Sequence, residues 1–229
     1  KTGKEEYFKP VETLLYNISS KGMYDHLAGG IARYTVDENW IIPHFEKMLY
    51  DNIQYVNLLN NYLSNKENNY LKLKLIQTIK FINSEFIVKN NLLGSAYDAD
   101  SDGVEGKYYV WKYQELKDIL GNDLENFKKK YQISEQGNFE GSNILVENLN
   151  PDISKESEII EIEQKLLEIR KKRNKPFFDD KSQTDLNAFW IYVNLYSSTI
   201  LNDKILFEKS IKNFENFNKI YENKLFHCY

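Results

Sequence analysis

The polar and aromatic residues best suited to chemistry are concentrated between Tyr24 and Asn52. Two of the three histidines of the chain, His26 and His44, lie there, and an imidazole can act as a general acid or base near neutral pH. Charged and amide groups among large apolar residues are costly to bury unless they are paired. The segment therefore predicts either a ligand site or a buried hydrogen-bonded network that holds the start of a helix, and the residues leave both open.

The second half of this segment has helical spacing. Pro43 predicts the first turn of a helix, where a residue without an N–H group costs nothing. Glu46 and Tyr50 would then lie on one face, with Lys47 and Asp51 as the neighbouring i, i+4 pair. The spacing does not match the H-E-x-x-H pattern of helical zinc sites.

A second candidate is the acidic run Asp98–Gly103, which resembles the first half of a calcium-binding loop. Tyr109 stands where the bidentate Glu should be, and a strand is predicted where a helix should follow, so an EF-hand is excluded. Three interpretations remain: a turn whose Asp side chains accept from backbone N–H groups, a looser metal site, or paired carboxylates for glycosidic chemistry. The looser metal site would use Asp98, Asp100, Asp102 and Glu105.

Phe178 to Asn187 predicts the polar start of another helix, with Thr184 or Asp185 as its N-cap. Asn187 would point toward the inner end of a helix pair, although capping alone also explains the pattern. Neither a phosphate-binding loop nor a nucleophile elbow is present. Cys228 is the single cysteine, so neither an internal disulfide nor redox chemistry within the chain is expected.

Bulk composition excludes several function classes. The 229 residues carry 30 Lys plus Arg against 34 Asp plus Glu, a net charge of −4, which disfavours a nucleic-acid surface. No apolar stretch approaches the roughly 18 residues of a membrane span, and no apolar signal-peptide block precedes residue 10. We expect a cytoplasmic protein without cofactor, nucleic-acid partner or membrane partner.

Apolar residues at helical spacing, separated by short turns, predict an all-α fold of antiparallel helix pairs. Two pairs of similar length suggest a repeated unit. Helices are expected in Pro10–Ser20, Pro43–Leu63, Leu71–Phe86, Tyr113–Leu120, Asp123–Tyr131, within Pro151–Arg173, in Asp185–Ile200 and in Lys204–Tyr221.

A small β excursion is expected near residues 107–148. Lys107–Trp111 and Ile144–Val146 have strand composition. The charged helix that follows ends in the basic run Arg170–Arg173, which is typical of a solvated helix C-terminus rather than a binding patch.

Four segments, taken in order, resemble one family. They are GMYDHLAGGIARYTVDENWIIPHFEKMLYDN, SAYDADSDGVEGKYYVW, GNFEGSNIL and RNKPFFDDKSQTDLNAF. Together they are similar to the spermatogenesis-associated protein 20 family, whose bacterial members are called thioredoxin-domain-containing proteins. The resemblance runs from about Thr13 to His227, and PHFEKMLYDN is its most specific string.

The resemblance implies a thioredoxin-like domain followed by a helical toroid similar to six-hairpin glycosidases and N-acylglucosamine 2-epimerases. We expect residues 1–229 to be a single partial (α/α) toroid, incomplete at both ends, without the thioredoxin-like domain. Its sections would be helix pairs in 10–93, a loop and short-strand insertion in 94–150, and a further pair in 151–229.

The matched positions suggest a site for a sugar-like small molecule. Ala28, Ala32 and the pair Asp185-Leu186 depart from the family pattern, so they are left out of it. The expected catalytic residues are His44, Glu46, Asp51, Asp98 and Asp100. The expected substrate-binding residues are His26, Arg33, Tyr34, Trp40, Tyr50, Asn52, Lys107, Trp111, Asp180, Lys181 and Asn187, and no metal ligand is assigned.

Two functions follow from the resemblance. The first is a carbohydrate-handling toroid, an epimerase, isomerase or glycosidase, that is inactive alone because the paired histidine bases of the related epimerases come from later helix pairs. The second is a non-catalytic scaffold that accompanies the thioredoxin-like domain. In both cases the remaining helix pairs and the thioredoxin-like domain are the expected partners.

Overall fold

The computed structural model describes residues 5–148, 156–222 and 227–228. These residues are mostly helical with a few very short strands, which confirms the predicted all-α class with a minor β component. The α-helices are α1 Glu5–Ser20, α2 Leu49–Leu63, α3 Asn69–Glu85, α4 Tyr113–Leu120, α5 Leu124–Lys130, α6 Glu156–Arg170, α7 Thr184–Leu201 and α8 Lys204–Tyr221. The start of the linker predicted from Pro151 lies outside the described residues.

The strands are two residues long and form small antiparallel ladders. They are β1 Tyr34–Thr35, β2 Pro43–His44, β3 Lys47–Met48, β4 Ala96–Tyr97, β5 Asp100–Ser101, β6 Val104–Glu105 and β7 Phe178–Asp179. β1 pairs with β2, β5 pairs with β6, and β4 lies between β3 and β7. The ladders thus fix loops around the helices rather than forming a sheet layer.

The chain divides into two compact units, each made of two separate segments. Unit 1 comprises Lys1–Glu46 and Ala99–Phe177, and unit 2 comprises Lys47–Asp98 and Phe178–Tyr229. The expectation that the whole chain is a single partial toroid stays a prediction.

Unit 2 is built from the two predicted helix pairs. α2 and α3 pack together, α7 packs on α8, and α2 also contacts α7. Asn68 caps α3 by accepting from the N–H of Leu71 at 3.0 Å, and Asp203 caps α8 by accepting from the N–H of Leu206 at 3.0 Å. Because the loops between paired helices are short, each pair is antiparallel, as predicted.

Unit 1 has its own core. α4, α5 and α6 enclose a buried cluster made of Trp111, Leu116, Leu120, Leu124, Phe127, Tyr131, Ile133, Leu145, Ile162 and Leu166. α1 ends at Ser20, as predicted, and the loop that follows it belongs to the same unit. Leu27, in the loop after α1, packs against this cluster, so the core contacts the start of the polar segment.

The prediction that Pro43 opens a helix is wrong. Pro43 pairs with Thr35 across β1 and β2, and α2 begins at Leu49. The Asp37 carboxylate accepts from the N–H groups of Ile41 and Ile42 at 2.9 and 2.7 Å. These hydrogen bonds stabilise the non-helical turn between β1 and β2. Non-local pairing thus overrides local helix preference, and Glu46 and Lys47 are not on a helix face.

The strand predictions for Lys107–Trp111 and Ile144–Val146 are also wrong. The first segment is a turn that ends in one isolated bridge between Trp111 and Asn143. The second lies between bridges, and the Asn138 side chain bonds both the N–H and the C=O of Ile144, at 2.7 and 2.9 Å. A side-chain amide therefore takes the place of a strand neighbour.

No helix in the described part of the chain combines the length and the apolar character needed to cross a lipid bilayer.

Candidate functional site

His44 lies on β2 in register with Tyr34 on β1. The two rings stack with their centroids 5.0 Å apart. Nδ1 of His44 lies 2.8 Å from Oε1 of Glu105, and Nε2 lies 3.3 Å from Oε2 of Glu46. Since 26% of the His44 side chain is exposed, the imidazole faces two carboxylates and remains accessible to solvent.

Glu46 is held in place by Arg33. The Arg33 guanidinium donates to Oε2 of Glu46 at 2.9 Å, and the Arg33 backbone N–H donates to the Glu46 carbonyl at 3.0 Å. The same carboxylate oxygen faces His44. Arg33, Tyr34, His44, Glu46 and Glu105 are called the His44 cluster below, and all belong to unit 1.

Glu105 reaches the cluster from the hairpin of β5 and β6. Asp102 and Gly103 form its turn with φ of 52° and 73°, the left-handed pair that an Asp-Gly dipeptide favours in two-residue hairpins. Asp100 is the cross-strand partner of Glu105, and directly opposed residues face the same side of a ladder. The structure therefore brings the predicted Asp100 to the same face as Glu105.

The turn itself is braced by side chains. Asp102 accepts from Nζ of Lys107 at 2.8 Å and from Nδ2 of Asn174 at 2.9 Å. These hydrogen bonds hold the pKa of Asp102 below its ordinary value of 3.8. Across residues 5–148, 156–222 and 227–228, no three His, Cys, Asp or Glu side chains are grouped to hold a metal, so the looser metal interpretation gains no support.

A cavity of about 460 Å³ in unit 1 shares Glu105 with the cluster. Its lining joins the aromatic residues Tyr108 and Phe139 to Lys112 and Glu140. Glu140 and Gly141 have left-handed φ values of 46° and 72° and form a two-residue turn closed by the bridge between Phe139 and Ser142. The volume lies within the range of about 300–1,000 Å³ that small-molecule sites occupy.

The cluster has the parts needed for acid–base chemistry. A carboxylate can only accept hydrogen bonds, so an imidazolium can donate to both Glu46 and Glu105, whereas a neutral ring can donate to one of them. Glu46, fixed by Arg33, orients the ring, and Glu105 faces the cavity. A proton can therefore be shared between His44 and Glu105, and Glu105 can exchange it with a group bound in the cavity.

The other histidine of the polar segment is buried. Nε2 of His26 lies 3.1 Å from the Lys21 carbonyl, and Nδ1 lies 3.3 Å from Oε1 of Glu147. The ring also contacts Tyr24 and Tyr131 edge-on. His26 therefore ties the end of α1 to a later loop in this structure, as expected of the network interpretation of the segment.

The solvated interpretation of the basic run is wrong for two of its four residues. Arg170 is buried and makes a two-pronged pair with Asp25 at 2.9 and 2.8 Å. Burial lowers the pKa of Arg170, but the Asp25 carboxylate more than offsets this, so the pKa is raised and the guanidinium stays charged. Arg173 donates to Glu115 at 2.7 Å, while Lys171 and Lys172 are exposed.

Trp111, predicted to bind the substrate, is completely buried, and the Arg173 guanidinium lies 4.0 Å from its ring centroid. Lys107 is exposed and pairs with Asp102. Trp40 lies at an open groove along α1 rather than at the cavity beside Glu105. In this conformation Trp111 packs in the core and offers no face to a ligand.

The remaining predicted residues belong to unit 2. Asn52 is buried and donates to the Met48 carbonyl at 2.9 Å. Asn187 is buried and bonds both the N–H and the C=O of Leu93, at 2.8 and 3.0 Å. Tyr50 and Asp51 are half-buried in the first turn of α2, and Asp98, Asp180 and Lys181 are exposed. Whether these side chains meet the His44 cluster stays a prediction.

Sequence reasoning missed the part that Glu105 plays, the buried contact of Arg170 with Asp25 and the partly exposed contact of Arg173 with Glu115. Glu105 was considered only as a metal ligand, although it follows the Asp-Gly turn that places it. The contacts of Arg170 with Asp25 and of Glu105 with His44 join residues 145 and 61 positions apart. No local pattern signals such pairs.

Comparisons with known proteins agree with the resemblance at a coarse level. No protein-family model matches the chain. It is 32% identical over 120 residues to "Uncharacterized protein B0495.5" of Caenorhabditis elegans, a match covering 49% of this chain and 16% of that protein. It is 24% identical to human and 26% identical to mouse spermatogenesis-associated protein 20 over 210 residues, 76% of this chain and 27% of each relative.

The chain therefore spans between 16% and 27% of the length of these curated relatives. The identity to the mammalian proteins is low but extends over most of the chain. The chain is a distant homologue of spermatogenesis-associated protein 20.

Proposed function

We propose that the chain is part of a carbohydrate-handling protein, and that the His44 cluster and the cavity at Glu105 form its sugar site. One observation carries this: an accessible imidazole is fixed between two carboxylates, one of which lines a cavity of suitable size. Carboxylates and an imidazole supply directional acceptors and donors for hydroxyl groups. Tyr108 and Phe139 supply apolar surface for the carbon face of a sugar ring.

The proposed chemistry is proton transfer. Epimerisation needs a base on each face of the reacting carbon, and hydrolysis needs an acid and a base or nucleophile. Glu105 would supply the acid–base group that faces the cavity, and His44, oriented by Glu46, would exchange a proton with Glu105. The resemblance implies that further bases come from later helix pairs, so binding is expected of this chain and turnover is not.

A glycan array followed by calorimetry tests the proposal directly. The chain is expected to bind at least one monosaccharide or disaccharide. His44→Ala and Glu105→Gln should each weaken binding on the order of tenfold to a hundredfold, since hydrogen bonds to charged groups contribute about 1.5–3 kcal/mol.

Glu125→Gln is the matched control, because this exposed carboxylate of unit 1 pairs with Lys128 in a surface bridge. It should leave sugar binding unchanged. A chain that keeps its circular dichroism spectrum and binds no sugar on the array would end the proposal.

The second candidate is a non-catalytic scaffold that accompanies a thioredoxin-like domain. It is favoured by the buried contacts of His26 and Asp25, which use part of the polar segment as a folding network. Under this proposal His44→Ala and Glu46→Ala would lower the melting temperature and have no other effect. Under the sugar proposal they would weaken sugar binding while stability falls by no more than about 1 kcal/mol, as for exposed pairs.

A further inference from the structure

Unit 2 carries a groove that plays no part in the proposed sugar site. It has a volume of about 530 Å³ and lies between α3 and the start of α8. Ile76 and Ile79 from α3 and Leu206 from α8 supply its apolar lining. On α3 the lining runs from Lys72 to Ser84, about 18 Å at 1.5 Å per residue. A groove of that length matches about three turns of a bound helix.

One apolar side chain at this groove is unusually exposed. Ile205, in the first turn of α8, has 68% of its surface accessible and lines the groove. An isolated exposed isoleucine is ordinary, but this one adjoins the apolar floor formed by Ile76 and Leu206. The groove therefore presents the exposed side chain of Ile205 beside apolar lining residues.

The charge around the groove is predominantly positive. Lys72, Lys80 and Lys209 are exposed members of its lining, and none of them has an ion-pair partner within the described ranges. The one carboxylate in the lining, Asp203, is already used as the N-cap of α8. A ligand with carboxylates would thus meet uncompensated ammonium groups.

We propose that this groove binds an amphipathic helical segment of a partner protein, with apolar side chains on one face and carboxylates along its edges. Lys72 and Lys80 both line the groove and are eight residues apart on α3, or about 12 Å along the helix axis. That spacing matches acidic residues two turns apart on the ligand helix. Apolar burial would supply affinity, and the three lysines would set register and exclude basic segments.

Fluorescence anisotropy with a defined probe tests this inference. The probe is a labelled 18-residue helical peptide with Leu at i, i+3, i+4 and i+7 spacing and Glu beside the leucine face. A second peptide carries Gln in place of every Glu. The chain should bind the Glu peptide on the order of tenfold more tightly than the Gln peptide, and added salt should reduce that difference.

Variants locate the binding. Lys72→Gln, Lys80→Gln and Lys209→Gln combined should weaken the Glu peptide about tenfold, and Ile205→Glu should weaken both peptides. All four side chains are exposed, so folding should be retained. The matched control replaces Lys9, Lys117 and Lys172, exposed lysines of unit 1, with Gln and should bind like the original chain.

Three results would overturn the inference. They are equal affinity for the Glu and Gln peptides, no loss in the groove variants, and binding to phosphatidylserine vesicles without binding to the Glu peptide. The sugar proposal concerns unit 1 and is tested with other ligands, so either proposal can fail alone.

Discussion

The Asp25 carboxylate accepts several hydrogen bonds in unit 1. It accepts from the N–H groups of Leu27 and Ala28 at 3.1 Å, and it pairs with both terminal nitrogens of Arg170. The side chains of Arg170 and Asp25 are only 3% and 6% exposed. Because the raised pKa keeps Arg170 charged, the pair joins the end of α6 to the loop after α1 by an ionic contact shielded from solvent.

Removing the Asp25 side chain should therefore lower the stability of the fold. Asp25→Ala leaves a buried guanidinium without its carboxylate, which is expected to lower the free energy of unfolding by about 3–5 kcal/mol in urea titrations. Glu168→Gln is the control, because its bridge to Lys171 is exposed and should be worth no more than about 1 kcal/mol. A similar small loss for both variants would contradict the proposed role of the pair.

The hydrogen bonds to Asp102 can be tested through the pH dependence of stability. Its pKa is lowered in the fold because Lys107 and Asn174 donate to the carboxylate. The stabilisation is thus fully present above the ordinary value of 3.8 and is lost as pH falls through the lower, folded-state pKa. Carboxyl NMR titration should show Asp102 titrating below 3.8.

Lys107→Met should shift that titration upward, toward the ordinary value. The Lys107 side chain is exposed, so the variant should fold normally. An Asp102 midpoint that does not move in Lys107→Met would show that the ammonium does not hold this carboxylate in solution.

At the scale of elements, the turn between α7 and α8 is formed by two residues. Asn202 takes a left-handed φ of 52° after α7, and Asp203 caps α8 through the N–H of Leu206. Asn tolerates the left-handed region better than most residues, and Asp is among the best N-caps. The sharp reversal of the chain is therefore encoded locally.

Asp203→Ala should lower the free energy of unfolding by about 1 kcal/mol, because the N–H of Leu206 loses its acceptor. Thermal and urea unfolding measure the loss. Asp203→Asn keeps an acceptor oxygen and should cost much less. If Asp203→Ala and Asp203→Asn lower the free energy of unfolding equally, loss of the capping hydrogen bond does not explain the effect.

The accuracy of prediction from sequence follows the range of the interactions involved. The helix pairs were predictable because apolar spacing, Asn202 and Asp203 act within a few residues. The prediction for Pro43 was wrong because its segment pairs with Thr35. Trp111 was expected to contact a ligand, but it packs in the core of unit 1 and Arg173 lies over its ring. The composition of the His44 cluster was predictable in part, but its Glu105 contact was not.

In the whole molecule, the order of the segments along the chain determines which fragments can fold, more than the number of helices does. Unit 2 is interrupted by the segment Ala99–Phe177 of unit 1, and unit 1 is interrupted by Lys47–Asp98 of unit 2. A cut at any single position in the middle of the chain therefore divides both units. Contiguous fragments should consequently fold poorly, even when they contain complete helices.

The two segments of unit 2 can nevertheless be joined by a short turn. Tyr97 on β4 pairs with Phe178 on β7 in antiparallel register, so a two-residue turn can join them directly. A shortened chain of residues 47–97, Asn-Gly and residues 178–229 keeps α2, α3, α7 and α8 with their mutual packing. It should show a helical circular dichroism spectrum and a cooperative thermal transition.

The contiguous fragment 1–98 is the control, since it contains one segment of each unit. It should show little helix and no cooperative melting, because α2 and α3 lack the packing of α7 and most helix stability in proteins comes from tertiary packing. Equal folding of both chains would contradict the division into two interleaved units. An unfolded joined chain beside a folded fragment 1–98 would show instead that the core of unit 2 depends on the residues removed.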